Sequence, residues 1–145
     1  MTPLPENCKS LLMSDPRVLQ AHTLKDLTII ALDMTITGAL AVNRRAADLA
    51  RQYRGAPEQE PLSQCAQIYV DFITGLQAVV DNVRSSSFRN VYESVNAAAE
   101  QPVNCENEFA SRGLDSPLIQ DNKDLEQKVT LSTNLARLIK NFLGD

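Results

Sequence analysis

Two helix-length heptad runs joined by a serine-rich turn occupy the middle of this 145-residue chain. Apolar side chains recur at alternating steps of three and four residues, which places them on one face of each helix. The runs comprise Leu62, Cys65, Tyr69, Phe72, Leu76, Val79 and Val83, then Phe88, Val91, Val95, Ala98, Cys105 and Phe109. The pattern predicts an antiparallel helical hairpin that turns near Ser86, with a kink near Ala98 where Pro102 interrupts its second helix.

This hairpin places two of the three cysteines at similar heights. Cys65 lies 21 residues before Ser86 and Cys105 lies 19 after it, so at about 1.5 Å per residue their heights differ by about 3 Å. A disulfide is therefore geometrically reasonable, and closing its loop of 41 residues (65 to 105 inclusive) stabilises the fold by about 4 kcal/mol in the chain-entropy treatment. The alternative is two reduced cysteines that fill a seam of the core. If the pair forms, Cys8 is left unpaired.

A long helix is predicted to precede the hairpin. Thr23 followed by Asp26 resembles a capping box, which marks the start of this helix. The predicted stripe runs through Leu27, Ala31, Met34, Gly38, Val42, Ala46, Leu49 and Tyr53. Its small residues would let a neighbouring helix approach closely.

The last helix is predicted to begin at Ser116-Pro117, as N-cap and first-turn proline. Its wide apolar stripe comprises Leu125, Val129, Leu131, Leu135, Ala136, Leu138, Ile139, Phe142 and Leu143. Four long helices with short links and no strand signal predict an all-α fold, an up-down-up-down four-helix bundle over residues 23–145. Residues 1–22 are punctuated by prolines and are predicted to form a helical arm.

The charge balance restricts the class of partner. The chain has 14 basic and 18 acidic residues, a net charge of −4, without a basic block, so neither nucleic acid nor an anionic membrane is expected to bind. The longest strongly apolar window, Leu27 to Val42, is interrupted by Asp33, so we expect no membrane span. No signal peptide follows Met1, whereas a disulfide favours a secreted origin.

Residue types that carry catalysis or bind metals are sparse. His22 is the only histidine, and the cysteines are separated by 57 and 40 positions, unlike the ligands of a zinc site. There is no glycine-rich phosphate loop and no nucleophile elbow. Glu106 and Glu108 are two positions apart, so they point to different sides of a helix and are expected to be solvated. The sequence therefore predicts no enzyme activity, no metal and no cofactor.

Several short segments, taken in order, resemble one protein family. They are Thr2, Pro5 and Cys8, then Cys65 with Tyr69 and Asp71, then Asn104-Cys105-Glu106 with Phe109, then Ser116-Pro117-Leu118 and Asn122-Lys123-Asp124-Leu125. Over about 130 residues this order and spacing resembles the plant invertase and pectin methylesterase inhibitors. The resemblance implies a secreted four-helix bundle with an N-terminal helical hairpin and two disulfides.

The chain also departs from the family pattern. The family has a further cysteine upstream of the position matching Thr2, so Cys8 is interpreted as half of an arm disulfide. Invertase-directed members often carry Pro-Lys-Phe where this chain has Ser86-Ser87-Phe88. Pectin methylesterase inhibitors often have a threonine at the position of Glu100.

The resemblance implies a non-covalent inhibitor of a cell-wall carbohydrate-active enzyme, secreted to the apoplast, with the signal peptide absent from this chain. Pectin methylesterase is the preferred target, because the turn lacks Pro-Lys and the run from Asn122 to Leu125 resembles that of its inhibitors. Acid invertase is the alternative, and a non-inhibitory structural or self-associating bundle is a further one. The predicted partner contacts are Ser86, Ser87, Phe88, Arg89 and Glu100.

Each singled-out position also has a plain structural interpretation. Phe88 is in phase with the heptad seam and could simply pack in the core. Glu100 faces outward, where solvation is the default, and Tyr69 on the seam should pack. The oligomeric state is predicted to be a monomer or a homodimer paired through the arm.

Overall fold

The structure is a computed structural model that describes residues 23–143. Its helices are α1 (Leu24–Gln52), α2 (Gln59–Arg84), α3 (Val91–Ala98), α4 (Gln101–Ala110) and α5 (Ile119–Phe142). α3 and α4 follow each other and together take the place of one long helix, so the five helices form a four-helix bundle. The predicted fold class is confirmed. The predicted arm and Cys8 lie outside the described residues.

Thr23 starts α1 as predicted. Its backbone is extended (φ −135°, ψ 159°), and its Oγ1 accepts a hydrogen bond from the backbone N–H of Asp26 at 3.0 Å. This bond satisfies one of the donors that a helix leaves free in its first turn. The helix then runs for 29 residues, close to the predicted length.

The core-facing stripe of α1 lies one residue beyond much of the predicted stripe. Leu32, Ile36 and Ala39 are buried in the main core, whereas the predicted Met34 and Leu49 are only partly buried. The reason is that α1 packs against both α2 and α5: Ala31 and Gly38 of the predicted stripe lie against α5, whereas Val42 and Ala46 are buried in the main core, as predicted.

Glycine at one position of that stripe allows α1 and α5 to approach closely, as predicted. A Cβ atom on Gly38 would lie 3.1 Å from Cδ1 of Leu125 and 3.3 Å from Cδ of Lys128. Nearby, the Oγ atoms of Thr35 and Ser132 are 2.9 Å apart in a buried hydrogen bond. The contact between the two helices therefore combines close backbone approach with a paired polar group.

Helix α1 is more apolar over its length than the sequence analysis expected of any segment. By length and composition α1 is apolar enough to cross a membrane, so the expectation that no segment qualifies is wrong. Its buried side chains Leu32, Ile36 and Val42 belong to the main core of the bundle. A helix that packs in the core of a bundle can meet the same criteria of length and composition.

Pro102 divides the predicted second helix of the hairpin into two helices instead of kinking it. α3 ends at Ala98, and α4 starts at Gln101 with Pro102 in its first turn. A proline ring clashes with the carbonyl of the residue four positions earlier, here Ala98, and lacks an N–H to bond to it. The prediction of one kinked helix is therefore wrong, and two helices form.

The start of α5 also differs from the prediction. The helix begins at Ile119, not at Ser116-Pro117. The Ser116 hydroxyl accepts a hydrogen bond from the N–H of Leu118 at 3.1 Å and donates one to Glu106 at 2.7 Å. It therefore holds a turn that precedes the helix, and does not cap its first residues.

At the C-terminal end of α5, Phe142 and Leu143 of the predicted stripe are exposed, because they lie beyond Ile139, the last buried residue of α5.

The heptad seam of α2 is buried throughout, as predicted. Its members are Leu62, Cys65, Tyr69, Phe72, Leu76, Val79 and Val83. Cys65 forms a disulfide with Cys105 of α4, with their Cα atoms 5.0 Å apart. The disulfide prediction is confirmed, and the alternative of two reduced cysteines is not observed.

Candidate partner-binding surface

Residues 85–90 form the loop between α2 and α3 at one end of the bundle. The N–H groups of Ser86 and Ser87 donate to carbonyls in the last turn of α2, at 3.1 and 2.8 Å. Ser86 and Asn90 have φ values of 62° and 68°. This left-handed conformation is unfavourable for residues other than glycine, so it persists only where surrounding contacts hold it. The loop therefore has a defined shape that α2 helps to maintain.

A lysine from α1 supports the same loop. Lys25 Nζ donates a hydrogen bond to Ser86 Oγ at 3.0 Å. Phe88 is partly buried against the main core, whereas Ser86, Ser87 and Arg89 are exposed. This supports the structural interpretation of Phe88, whose side chain attaches the loop to the main core. A role of these four residues in partner binding stays a prediction.

Glu100 does not belong to this loop. It lies at the break between α3 and α4, separated from the loop by the eight-residue helix Val91–Ala98, which is about 12 Å long. Its side chain is exposed, as the plain interpretation expected. The structure thus groups Ser86, Ser87, Phe88 and Arg89 but leaves Glu100 apart from them.

Tyr92 is a member of this surface that sequence reasoning missed. The Arg137 guanidinium lies 5.5 Å and the Lys140 ammonium 5.1 Å from the centre of its ring, within range of cation–π attraction. Lys140 also forms an ion pair with Glu93 at 2.8 Å, and this hydrogen bond lowers the pKa of the Glu93 carboxyl. The sequence shows that the last turns of α5 are basic. It does not show that these cations meet Tyr92, because that pairing depends on the bundle topology.

Cationic side chains collect at this end of the bundle, which we call the basic end. It comprises Lys25, Arg84, Arg89, Arg137 and Lys140, with Asp26, Asp33, Asp81 and Glu93 as acidic neighbours. The C-termini of α2 and α5 and the N-termini of α1 and α3 all lie here, so the dipoles of these helices oppose one another. Arginine and tyrosine are enriched at protein interfaces, so the composition suits a protein partner.

A second polar cluster lies nearer the opposite end of the bundle. Asn122 of α5 accepts a hydrogen bond from the Tyr69 hydroxyl and donates one to Glu106 at 2.6 Å. Burial, together with the negative charge of Glu106, raises the pKa of Tyr69 well above its usual range. The expectation that Glu106 is solvated is therefore wrong, because residues from α5 and the preceding turn meet it. Tyr69 packs in the core, as predicted.

This cluster has the features of a structural element. Tyr69 and Asn122 are at most 1% exposed, so a substrate could not reach them without opening the bundle. Within residues 23–143 no group of three histidine, cysteine or acidic side chains is placed to hold a metal ion. We therefore locate the candidate partner surface at the basic end.

Comparison with known proteins agrees with this description. Residues 1–144 match the family described as plant invertase/pectin methylesterase inhibitor. A protein from Platanus orientalis named "Putative invertase inhibitor" is 23% identical over 133 residues, which cover 91% of this chain and 78% of that protein. A protein of the same name from Platanus acerifolia is 23% identical over 135 residues, 91% of this chain and 74% of that protein.

A solved structure shares the fold. The crystal structure of a pectin methylesterase inhibitor from Arabidopsis thaliana superposes with a TM-score of 0.71 at 17% identity, covering 93% of this chain and 85% of that one. At this identity the likeness establishes the fold alone. The family match covers nearly the whole sequence and describes inhibitors, not enzymes. This chain therefore belongs to the plant invertase/pectin methylesterase inhibitor family.

Proposed function

We propose that this protein is a secreted, non-covalent inhibitor of pectin methylesterase in the plant cell wall, and that it binds its target through the basic end. The observation that carries this proposal is the combination of Arg89, Tyr92 and Arg137 on a disulfide-linked bundle. Rigid anchors of these residue types carry most of the affinity in many protein interfaces. Inhibition then follows from covering the enzyme's substrate cleft by surface complementarity.

The loop sequence supports pectin methylesterase as the target. Ser86 and Ser87 stand where invertase-directed members often carry proline and lysine, and only Phe88 of that motif is kept. The run from Asn122 to Leu125 gives less support for pectin methylesterase as the target than its sequence alone suggests. Asn122 and Leu125 are buried and serve the bundle, so their identities report on the fold and not on the target.

Acid invertase is the second candidate target. The relatives from Platanus are named as invertase inhibitors and match most of this chain. Both targets require the same kind of complex, in which the bundle covers a protein surface. They differ in which enzyme surface complements the basic end.

A titration of the purified chain against both enzymes tests the proposal. We expect slowing of pectin methylesterase at micromolar inhibitor or below, with invertase unaffected. The reverse result would assign the chain to invertase. No effect on either enzyme would indicate the non-inhibitory bundle and contradict the proposal.

A charge-reversal pair locates the surface. Arg89→Glu changes an exposed arginine of the basic end, whereas Arg54→Glu changes an exposed arginine just after α1, at the opposite end. Loss of an interface anchor costs 1–2 kcal/mol or more, so we expect inhibition to weaken about tenfold for Arg89→Glu alone. Equal effects of the two variants would show that only net charge matters, and an effect of Arg54→Glu alone would move the interface to the other end.

A further inference from the structure

Helix α3 is the shortest of the described helices, and it carries part of the surface proposed to bind the enzyme. Its eight residues are fewer than the roughly 12–15 that an isolated helix needs to be even marginally stable in water. Of these eight residues, Val91 and Val95 are buried in the main core. Contacts other than this small apolar anchor therefore matter more for α3 than for a long helix.

The two ends of α3 receive little support from the backbone around them. At the start, Asn90 has a φ value of 68° and its side chain makes no capping hydrogen bond. At the end, the N–H of Glu100 meets the carbonyl of Ala97 at 3.5 Å, which is long for a hydrogen bond. Pro102 in the first turn of α4 has no N–H to continue the helical hydrogen bonds. The position of α3 therefore depends on the helices beside it.

One lysine from the last turn of α5 makes two contacts with α3. Lys140 Nζ donates a hydrogen bond to Oε1 of Glu93 at 2.8 Å, and it lies 5.1 Å from the centre of the Tyr92 ring. The Glu93 and Lys140 side chains are each 53% exposed, and an isolated ion pair of this kind contributes little to stability. Here the same ammonium group adds cation–π attraction to the ion pair. We call Lys140, Glu93 and Tyr92 the α3–α5 clamp.

The α3–α5 clamp restrains two parts of the surface proposed to bind the enzyme. It restrains the Tyr92 ring, which the Arg137 guanidinium also approaches, at 5.5 Å from the ring centre. It also restrains the start of α3, which the chain reaches from Arg89 through Asn90. An interface side chain that is already ordered loses less conformational entropy when a complex forms. Restraint of Tyr92 therefore favours the complex without any contact between Lys140 and the enzyme.

We propose that Glu93 and Lys140 are positioning residues for inhibition, which act on the target enzyme through Tyr92 and not by direct contact. This inference rests on the proposed function, because it requires that the basic end meets the target. Arg137 is not included, since it is itself among the residues proposed to bind the enzyme. The inference makes two separate claims: the ion pair holds α3 against α5, and this restraint strengthens inhibition.

Hydrogen exchange of the full chain tests the first claim without any enzyme. Lys140→Gln removes the charge, so we expect the backbone amides of residues 95–98 to exchange about threefold faster, while those of α2 keep their rates. Lys140→Arg keeps a cation and should preserve the slower exchange. Lys123→Gln is the matched control, because it removes an exposed lysine near the start of the same helix. Equal α3 exchange in Lys140→Gln and Lys123→Gln would overturn the proposal, whether or not the chain inhibits an enzyme.

A double-mutant cycle on inhibition distinguishes positioning from direct contact. Glu93→Gln and Lys140→Gln should each raise the inhibition constant about threefold, and the double variant should inhibit as well as either single one, because both changes remove the same ion pair. Weakening by Lys140→Gln that is equal with and without Glu93 would show direct contact with the enzyme and overturn the proposal. Unchanged inhibition constants in both single variants would also overturn it. If the unaltered chain inhibits neither enzyme, the proposed function and the role in inhibition both fail, while faster α3 exchange in Lys140→Gln would still establish the clamp.

Discussion

The hydroxyl of Tyr69 on α2 donates a hydrogen bond to Oδ1 of Asn122 on α5, and both side chains are buried. The Asn122 amide nitrogen in turn donates to Glu106 on α4 and lies 3.2 Å from the sulfur of Cys105. One amide thus connects three helices at the level of the disulfide. A buried polar group stabilises a fold when all its partners are present and is costly when one is missing.

Replacement of this amide should destabilise the bundle. Asn122→Ala removes the acceptor of the buried Tyr69 hydroxyl and one of the donors to Glu106, so we expect a loss of about 1–3 kcal/mol in the free energy of unfolding. Urea denaturation measures it. Asn96→Ala is the matched control, because Asn96 is exposed on α3 and should change stability by less than about 0.5 kcal/mol. Equal midpoints for the two variants would show that the Asn122 contacts contribute nothing.

The same tyrosine should make the fold sensitive to alkali. Its pKa is raised in the folded state, chiefly by burial, so the folded protein keeps the proton at a pH where the unfolded chain loses it. Stability from this group is therefore complete below the unfolded pKa of about 10 and falls above it, by up to about 1.4 kcal/mol per pH unit. Urea midpoints measured on both sides of pH 10 test the slope. Tyr69→Phe should reduce the slope and Tyr53→Phe should not; a slope unchanged in Tyr69→Phe would assign it to other groups.

Local signals in the sequence predicted the regular parts of this fold. The seam from Leu62 to Val83, the cap at Thr23 and the Cys65–Cys105 disulfide follow from helical period, rise per residue and side-chain chemistry. Each of these depends on residues within one helix or on two helices of known direction. The basic end was only partly predictable, because the loop residues are contiguous in sequence whereas Tyr92, Arg137 and Lys140 meet through the bundle topology.

The contacts that were missed depend on residues distant in the chain. Glu106 was expected to be solvated because its neighbours in sequence offer no partner, yet it meets Ser116 and Asn122. The start of α5 was misplaced for the same reason, since Ser116 donates its hydroxyl proton to Glu106 and does not cap the helix. Sequence period locates a helix face but does not reveal which polar side chains meet across it.

Loss of the disulfide should weaken the bundle without abolishing its helices. The Cys65→Ala/Cys105→Ala variant removes a constraint on a 41-residue loop of the unfolded chain (65 to 105 inclusive), and the chain-entropy treatment gives about 4 kcal/mol. Urea denaturation should be compared with Cys8→Ser, which keeps the disulfide and excludes thiol exchange. Circular dichroism should retain the helical signal in both. A variant as stable as Cys8→Ser would contradict a stabilising role for this disulfide.

Two helical glycines provide a matched test of the α1–α5 contact. A Cβ atom at Gly75 of α2 meets nothing within 4 Å, so Gly75→Ala should gain most of the helix propensity difference, up to about 1 kcal/mol. At Gly38 the same atom would lie 3.1 Å from Leu125, whose side chain is buried and must shift to admit it. We expect Gly38→Ala to be at least about 1 kcal/mol less stable than Gly75→Ala, since overpacking a well-filled contact opposes the same propensity gain. Urea midpoints of the two variants measure the difference directly, and an equal increase in stability for both would mean that α1 and α5 do not approach as closely as described.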